Sequence, residues 1–408
     1  MIAVLFGLAR WRWLLPLTWA LAIWWALITD PNLIQGRFLN AAVQGAQVVM
    51  FLAPATAVAG VLAGATMRAN TRRVLTGVPP QMLLMAGVCA VHTLICVSAL
   101  TLCAVMIGLI EHAAGADGWQ LIALAGLTVA GSSAVGQALG RALPEVVAAP
   151  VALLGSYVVL AFPRSFGDPL WLRHLAFVDS CCNSPDQVSP RVLAAIATLA
   201  SATVAAALLT TLRGRRRAPG LLAAAVALGL AWNLSTSLVD DLDWSPATPR
   251  AGQTRCEPSG HGEVCVWPEN TAALPDLAAA WATLQATAQK HGLDLPTTVS
   301  ERAQGQVVYG DGHISLTPQI SADVIPELLA TGALPAIDPC VIGGTMDSRI
   351  DNAWLTLARW WLTTSGYSPS RNLLEPPYEY LDVPPDQLDA RLQTLIDAIR
   401  TCDASNLP

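Results

Sequence analysis

Charge is what this sequence has least of. Only 13% of its 408 residues are Asp, Glu, Lys or Arg, against roughly 25% in an ordinary soluble protein. The mean hydropathy is +0.48, so the composition is that of a membrane protein. Lysine is nearly missing, since Lys290 is the only one. No GxxxxGK[ST] loop occurs, the element whose amides and lysine hold nucleotide phosphates, so this chain cannot hydrolyse ATP by that route. HExxH is absent, and the C-terminal part has neither a CxxC to complete a zinc set nor a GxSxG. No catalytic residue, metal or cofactor is therefore expected, and no nucleic-acid partner. The apolar stretches also lack interior carboxylates, which argues against an ion-coupled transporter but not against one driven by a separate motor.

What charge there is falls unevenly. Residues 1–238 hold 14 Arg and 7 Asp/Glu, whereas residues 239–408 hold 9 Lys+Arg and 22 Asp/Glu. That asymmetry separates a membrane-embedded part from an acidic soluble domain. A membrane helix needs about 20 mostly apolar residues, and seven stretches qualify: about 13–29, 44–66, 82–110, 119–139, 145–163, 191–212 and 219–238. The expected fold is an α-helical polytopic membrane protein with about seven transmembrane helices in 1–238. A linker over 239–252 and a C-terminal α+β extracytoplasmic domain over 253–408 follow.

Arginine placement gives sidedness. Ten arginines fall on the side of the N-terminus (Arg10, Arg12, Arg68, Arg72, Arg73, Arg141, Arg213, Arg215, Arg216, Arg217), and four on the other (Arg37, Arg164, Arg173, Arg191). The N-terminus is thus expected in the cytoplasm of a plasma-membrane protein, with the C-terminal domain outside. Cysteine agrees. Cys181, Cys182, Cys256, Cys265, Cys340 and Cys402 all lie on the external side, where disulfides persist; six cysteines allow 15 pairings. Locality favours Cys256 with Cys265, then Cys340 with Cys402. Cys181 and Cys182 pair with each other or elsewhere. Cys89, Cys96 and Cys103, at steps of seven, read as small packing residues.

Small residues mark where helices approach. Gly60 and Gly64 form one GxxxG, and Gly136 and Gly140 another. Both read as packing within a subunit or as a homodimer interface. His92, in VCAVHTLICV, is the one ionisable residue well inside a span. A lone histidine there bonds a neighbouring helix more often than it relays protons.

Between the second and third spans stands RANTRRVLTGVPPQMLLMAGV, residues 68–88. Its layout resembles the cytoplasmic coupling segment of ABC-2-type exporter permeases, a charged turn with a leucine and then a proline before the third span. On that resemblance Arg68, Arg72 and Arg73 match the charged turn, Leu75 the apolar contact, and Pro79 or Pro80 the restart. The likeness covers about residues 1–212 and extends to permease-like proteins of actinomycete type that carry an external tail. It implies a cytoplasmic ABC ATPase partner and a dimer within the lipid bilayer. Two departures stand out: no glutamate accompanies the basic residues, and a seventh span follows the family's six. The rival reading is a non-transporting anchor presenting its outer domain for sensing or binding.

The C-terminal part reads as mixed. CEPSGHGEVCVWP is a hairpin, TAALPDLAAAWATLQATAQKHG a helix, and QVVYGDGHISL a second hairpin turning at Gly310–Gly312. A short helix capped by Ser321 follows, then amphipathic helices in DSRIDNAWLTLARWWLTTSG and PPDQLDARLQTLIDAIRTC. His261, Glu263 and Cys265 make an HxExC cluster, but Cys265 is expected to be oxidised and His261 to be solvated in its turn.

Overall fold

The computed structural model describes every residue except 1–10, 30–36, 72–77, 114, 167–168, 179–180, 183–185, 211, 213–216, 243–245, 251, 253, 302–309, 315, 317–319, 341–346, 371–377 and 408. The chain divides into two compact units, Met1–Cys182 with Gln187–Ala247, and Asn183–Asp186 with Thr248–Pro408.

The first unit is helical: α1 (Trp11–Ile28), α2 (Phe38–Gln47), α3 (Val49–Thr71), α4 (Val78–Ile110), α5 (Trp119–Ala142), α6 (Glu145–Ala161), the short α7 (Leu170–Leu175), α8 (Pro190–Leu209) and α9 (Arg217–Ser237). Six helices among the described residues are long and apolar enough to cross a membrane, namely α3, α4, α5, α6, α8 and α9. Of the seven expected spans, the first is the shorter apolar helix Arg12–Ile28. Apolar side chains cover the outer faces of these helices: Val146 is 85% exposed, Leu109 72% and Leu83 71%. Such a surface suits lipid, not water. Hydroxyls inside the spans bond back to their own helix, Thr56 Oγ1 to the Leu52 carbonyl at 2.9 Å and Thr203 Oγ1 to Leu199 at 2.8 Å. These two hydroxyls are thereby satisfied without water.

The expected span 44–66 is two helices. The chain tightens at Val48, whose N–H donates to the Gly45 carbonyl at 3.4 Å, and α2 before it is buried from Phe38 to Ala46. Arg37, 2% exposed, precedes α2 and pairs with Asp117 just before α5, at 2.8 Å. The fifth span keeps Pro150 inside α6. The expected linker 239–252 is not a free tether. Val239 is fully buried, and Leu242 and Ala247 pack on the helical core, because this acidic stretch carries apolar side chains at those positions. β1 (Asp186–Val188) and β2 (Ala247–Pro249) pair as a two-stranded sheet.

The second unit is a four-stranded sheet packed with helices: β3 (Arg255–Ser259), β4 (Gly262–Val266), α10 (Leu274–Lys290), β5 (Thr298–Glu301), β6 (His313–Ile314), α11 (Ile325–Ala333), α12 (Ser348–Thr364) and α13 (Leu388–Thr401). The expected hairpin is β3–β4, antiparallel, with Cys256 opposite Cys265. β4 and β5 are parallel, as are β5 and β6, so the class is α+β with a mixed sheet. The core gathers Trp281 and Trp361, edge to face at 6.0 Å. The Trp361 indole N–H donates to the Leu284 carbonyl at 2.8 Å.

One local expectation lies partly outside the described residues, and another needs correction. The second hairpin has its first arm outside the described residues; its turn is there, closed by an antiparallel bridge between Gly310 and His313, and its other arm, β6, also pairs in parallel with β5. Ser321 is not the helix cap: a turn over 322–324 intervenes, and α11 starts at Ile325 with Pro326 in its first turn. Proline's fixed φ and missing N–H suit that place. Asp347 does cap α12, accepting from the Arg349 N–H at 2.9 Å.

Candidate functional site

In the helical unit the two GxxxG sequences meet each other. A Cβ built on Gly60 or Gly64 would strike the backbone of Ser133 or Gln137 on α5. One on Gly136 or Gly140 would strike the backbone of Ala57 or Val61 on α3. The order of these contacts makes α3 and α5 parallel, so α4 returns across the unit between them. The four glycines therefore serve packing within one chain.

Because α3 approaches so closely, α5 turns Ser133 and Gln137 inward toward α4. His92 Nδ1 lies 2.7 Å from Ser133 Oγ, and both residues are fully buried. Gln137 Nε2 is 3.1 Å from Cys89 Sγ and 3.3 Å from Ser133 Oγ, while its Oε1 has no partner. The cluster consists of hydrogen-bonding side chains with no carboxylate among the named members, and Glu145 is the one acid in the six spanning stretches. These contacts tie α4 to α5. Sequence reading singled out His92 but not Ser133 and Gln137, whose four-residue spacing on one helix face was the available signal.

Of the coupling-segment residues, Arg72, Arg73 and Leu75 lie outside the described residues. Pro79 stands in the first turn of α4. Arg68 lies in the last turn of α3, and its Nη1 donates to the Leu143 carbonyl at 2.8 Å. The α3–α4 and α5–α6 turns are thus brought to the same end of the helical unit.

The second unit holds a buried acid that sequence reading missed. Glu301, 1% exposed, accepts from the Trp267 backbone N–H and from the Asn270 amide, both at 2.7 Å. Alternation along β5 places it on the same face as the buried Val299, which was the available signal. Beside it, Arg250 pairs with Glu269 at 2.8 Å and stacks over Trp267 at 4.1 Å. Burial raises the Glu301 carboxyl to about 7 against its hydrogen bonds, and the nearby Glu269 charge adds to the rise.

A folded pKa above the unfolded one means the folded state holds the proton more tightly. The stabilisation is complete below the unfolded value of 4.5 and is lost as pH rises through about 7. The loss is on the order of 3 kcal/mol. Asp347 and Asp403, held below the usual carboxylate range by hydrogen bonds to Arg349 and Ser405, act only at lower pH. Hydrogen exchange at the Trp267 amide, corrected for its intrinsic pH dependence, should accelerate between pH 5 and 7.5 in the full chain. Glu301→Gln should flatten that rise, and an unchanged slope would remove Glu301 as its source.

The structure joins Cys181 to Cys182, Cys256 to Cys265 and Cys340 to Cys402, and leaves Cys89, Cys96 and Cys103 as buried thiols. Donor atoms of Cys256, Glu263 and Cys265 lie within 4.8 Å of one another. With both sulfurs in a disulfide they offer no thiolate to a metal.

Residues 264–374 match the family model described as a domain of unknown function (DUF7224). No permease family model matches the helical unit, and no curated protein and no solved structure matches the chain. The DUF7224-like stretch begins within β4 and ends after α12, so each disulfide of this unit joins one cysteine inside it to one outside.

Proposed function

We propose that this chain is the membrane subunit of an exporter energised by a separately encoded cytoplasmic ATPase, with its basic turns inside the cell and its disulfide-bearing domain outside. The observation that carries the reading is the Arg68–Leu143 hydrogen bond. It ties the ends of α3, α5 and α6 together, next along the chain to the arginine-rich sequence of residues 67–82, where a soluble motor could push on several spans together. The chain has no phosphate-binding loop of its own, so the energy must come from a partner. Its substrate would pass among the spans, and two copies would form the pathway. A second reading, a membrane anchor presenting a binding domain, draws on the DUF7224 match, which lies wholly in the acidic C-terminal part.

The test is co-purification from native membranes with a P-loop ATPase. Leu75→Asp with Arg72→Glu should abolish both assembly and transport-linked ATP turnover. Full retention of both favours the anchor. A cysteine replacing Arg215 should resist an impermeant thiol reagent on intact cells and react once they are opened. Labelling of intact cells would reverse the orientation.

A further inference from the structure

Helix α9 buries one face and offers the other to lipid. Ala224, Ala231 and Ser235 are buried, and the Ser235 hydroxyl donates to the Ala195 carbonyl of α8 at 2.9 Å. At about 100° per residue, the opposite side carries Leu222, Val226, Gly229, Asn233 and Thr236. Leu222 and Val226 are exposed, and a Cβ built on Gly229 meets nothing within 4 Å. These five positions step by 4, 3, 4 and 3 residues, the a/d rhythm of a left-handed helix pair. Val226 and Asn233 take a; Leu222, Gly229 and Thr236 take d. A β-branched residue at a favours two parallel helices, and a single asparagine at a sets their register and number.

Asn233 decides what covers this face. It stands seven residues before Asp240, the first charge after the helix, which places it about 10 Å inside at 1.5 Å per residue. Its Nδ2 donates to the Gly229 carbonyl at 2.8 Å, which uses one of its two donors. The second N–H and Oδ1 meet no partner among the described residues, and hydrocarbon supplies none. Gln81 and Gln137, within α4 and α5, are by contrast buried. The positive N–H and negative oxygen of one amide are complementary to those of another. Two copies inserted the same way round, related by a two-fold axis along the membrane normal, present parallel α9 helices with equal residues facing. Each Asn233 can then donate to the oxygen of the other, and Gly229, one turn away, lets the backbones approach. We infer that α9 is the face through which two copies of this chain pair, in parallel, with Asn233 on Asn233. Helix α9 lies beyond residue 212, so the permease likeness implies nothing about this face. The pairing needs no ATPase, and its loss would leave the Leu75 and Arg72 test as it stands.

The full chain, labelled and reconstituted alone into phosphatidylcholine vesicles, would be followed by energy transfer between copies as its density in the bilayer rises. The wild type should show saturable pairing. Asn233→Leu should raise the dissociation constant about tenfold, and Asn233→Gln, which keeps the amide, should restore most of the loss. Gly229→Leu adds bulk only in open space, so the fold should stand while pairing falls. On oxidation Val226→Cys should give a covalent dimer, whereas Ala225→Cys, the exposed neighbour turned about 100° away, should stay monomeric like the wild type. A monomer at every density overturns the proposal and leaves lipid on this face. Pairing that both Asn233→Leu and Gly229→Leu retain overturns it in favour of another surface. Cross-linking of Ala225→Cys as readily as Val226→Cys overturns the register, and capture of a different membrane protein by Val226→Cys in native membranes, in place of a second copy, overturns the partner. Should Asn233→Leu fail to fold, the Gly229→Leu arm and the two cysteine variants decide alone.

Discussion

A Gly136→Leu chain is expected to lose its folded helical unit in mild detergent, at a cost of about 3–5 kcal/mol. The added side chain would meet the backbone of Ala57, not a movable side chain. Relief requires α3 and α5 to separate, which also unseats Gly60, Gly64 and Gly140 and pulls Ser133 away from His92. Gly155→Ala is the matched control. It lies in a helix with empty space beside it, so stability should hold or rise by up to about 1 kcal/mol. Thermal melting of the two purified variants distinguishes them. Equal melting temperatures would mean that the close helix approach carries no stability.

The second large effect comes from the disulfides. Cys340 and Cys402 are 62 residues apart, whereas Cys256 and Cys265 are 9 apart. Closing a longer loop removes more freedom from the unfolded chain, by about 4 kcal/mol for the first bridge and about 3 for the second. Since α13 reaches the core through Leu392, Leu395, Ile396 and Ile399, freeing its end at Cys402 also exposes that face. The Cys340→Ser, Cys402→Ser chain should therefore be cleaved by protease at lower denaturant than the Cys256→Ser, Cys265→Ser chain, and both at lower denaturant than wild type. The reverse order would mean that the native geometry of the hairpin, not loop length, governs this unit.

Much of the architecture was legible because lipid imposes a coarse rule. Long apolar runs gave the six spanning helices within a few residues, and Cys256 and Cys265 flanking SGHG gave the β3–β4 hairpin. What stayed hidden depends on partners far along the chain. Nothing near Arg37 points to Asp117, and nothing near Val48 marks the tightened turn between α2 and α3. The parallel strand β5 was missed because TTVSE is too short for alternation to stand out, and with it went Glu301. Within the helical unit, GxxxG announced close packing, but only the structure shows that the two copies grip one another.

That grip has a consequence for how the protein is made. Gly136 leaves the ribosome about 80 residues after Ala57, a delay of roughly 4–16 seconds at ordinary synthesis rates. Throughout that interval α3 sits in the bilayer with its smooth glycine edge uncovered, open to any passing helix of similar shape. A chaperone or insertase that shelters this edge until α5 arrives would raise the yield of correctly assembled protein, and slowing translation between the two segments would lower it.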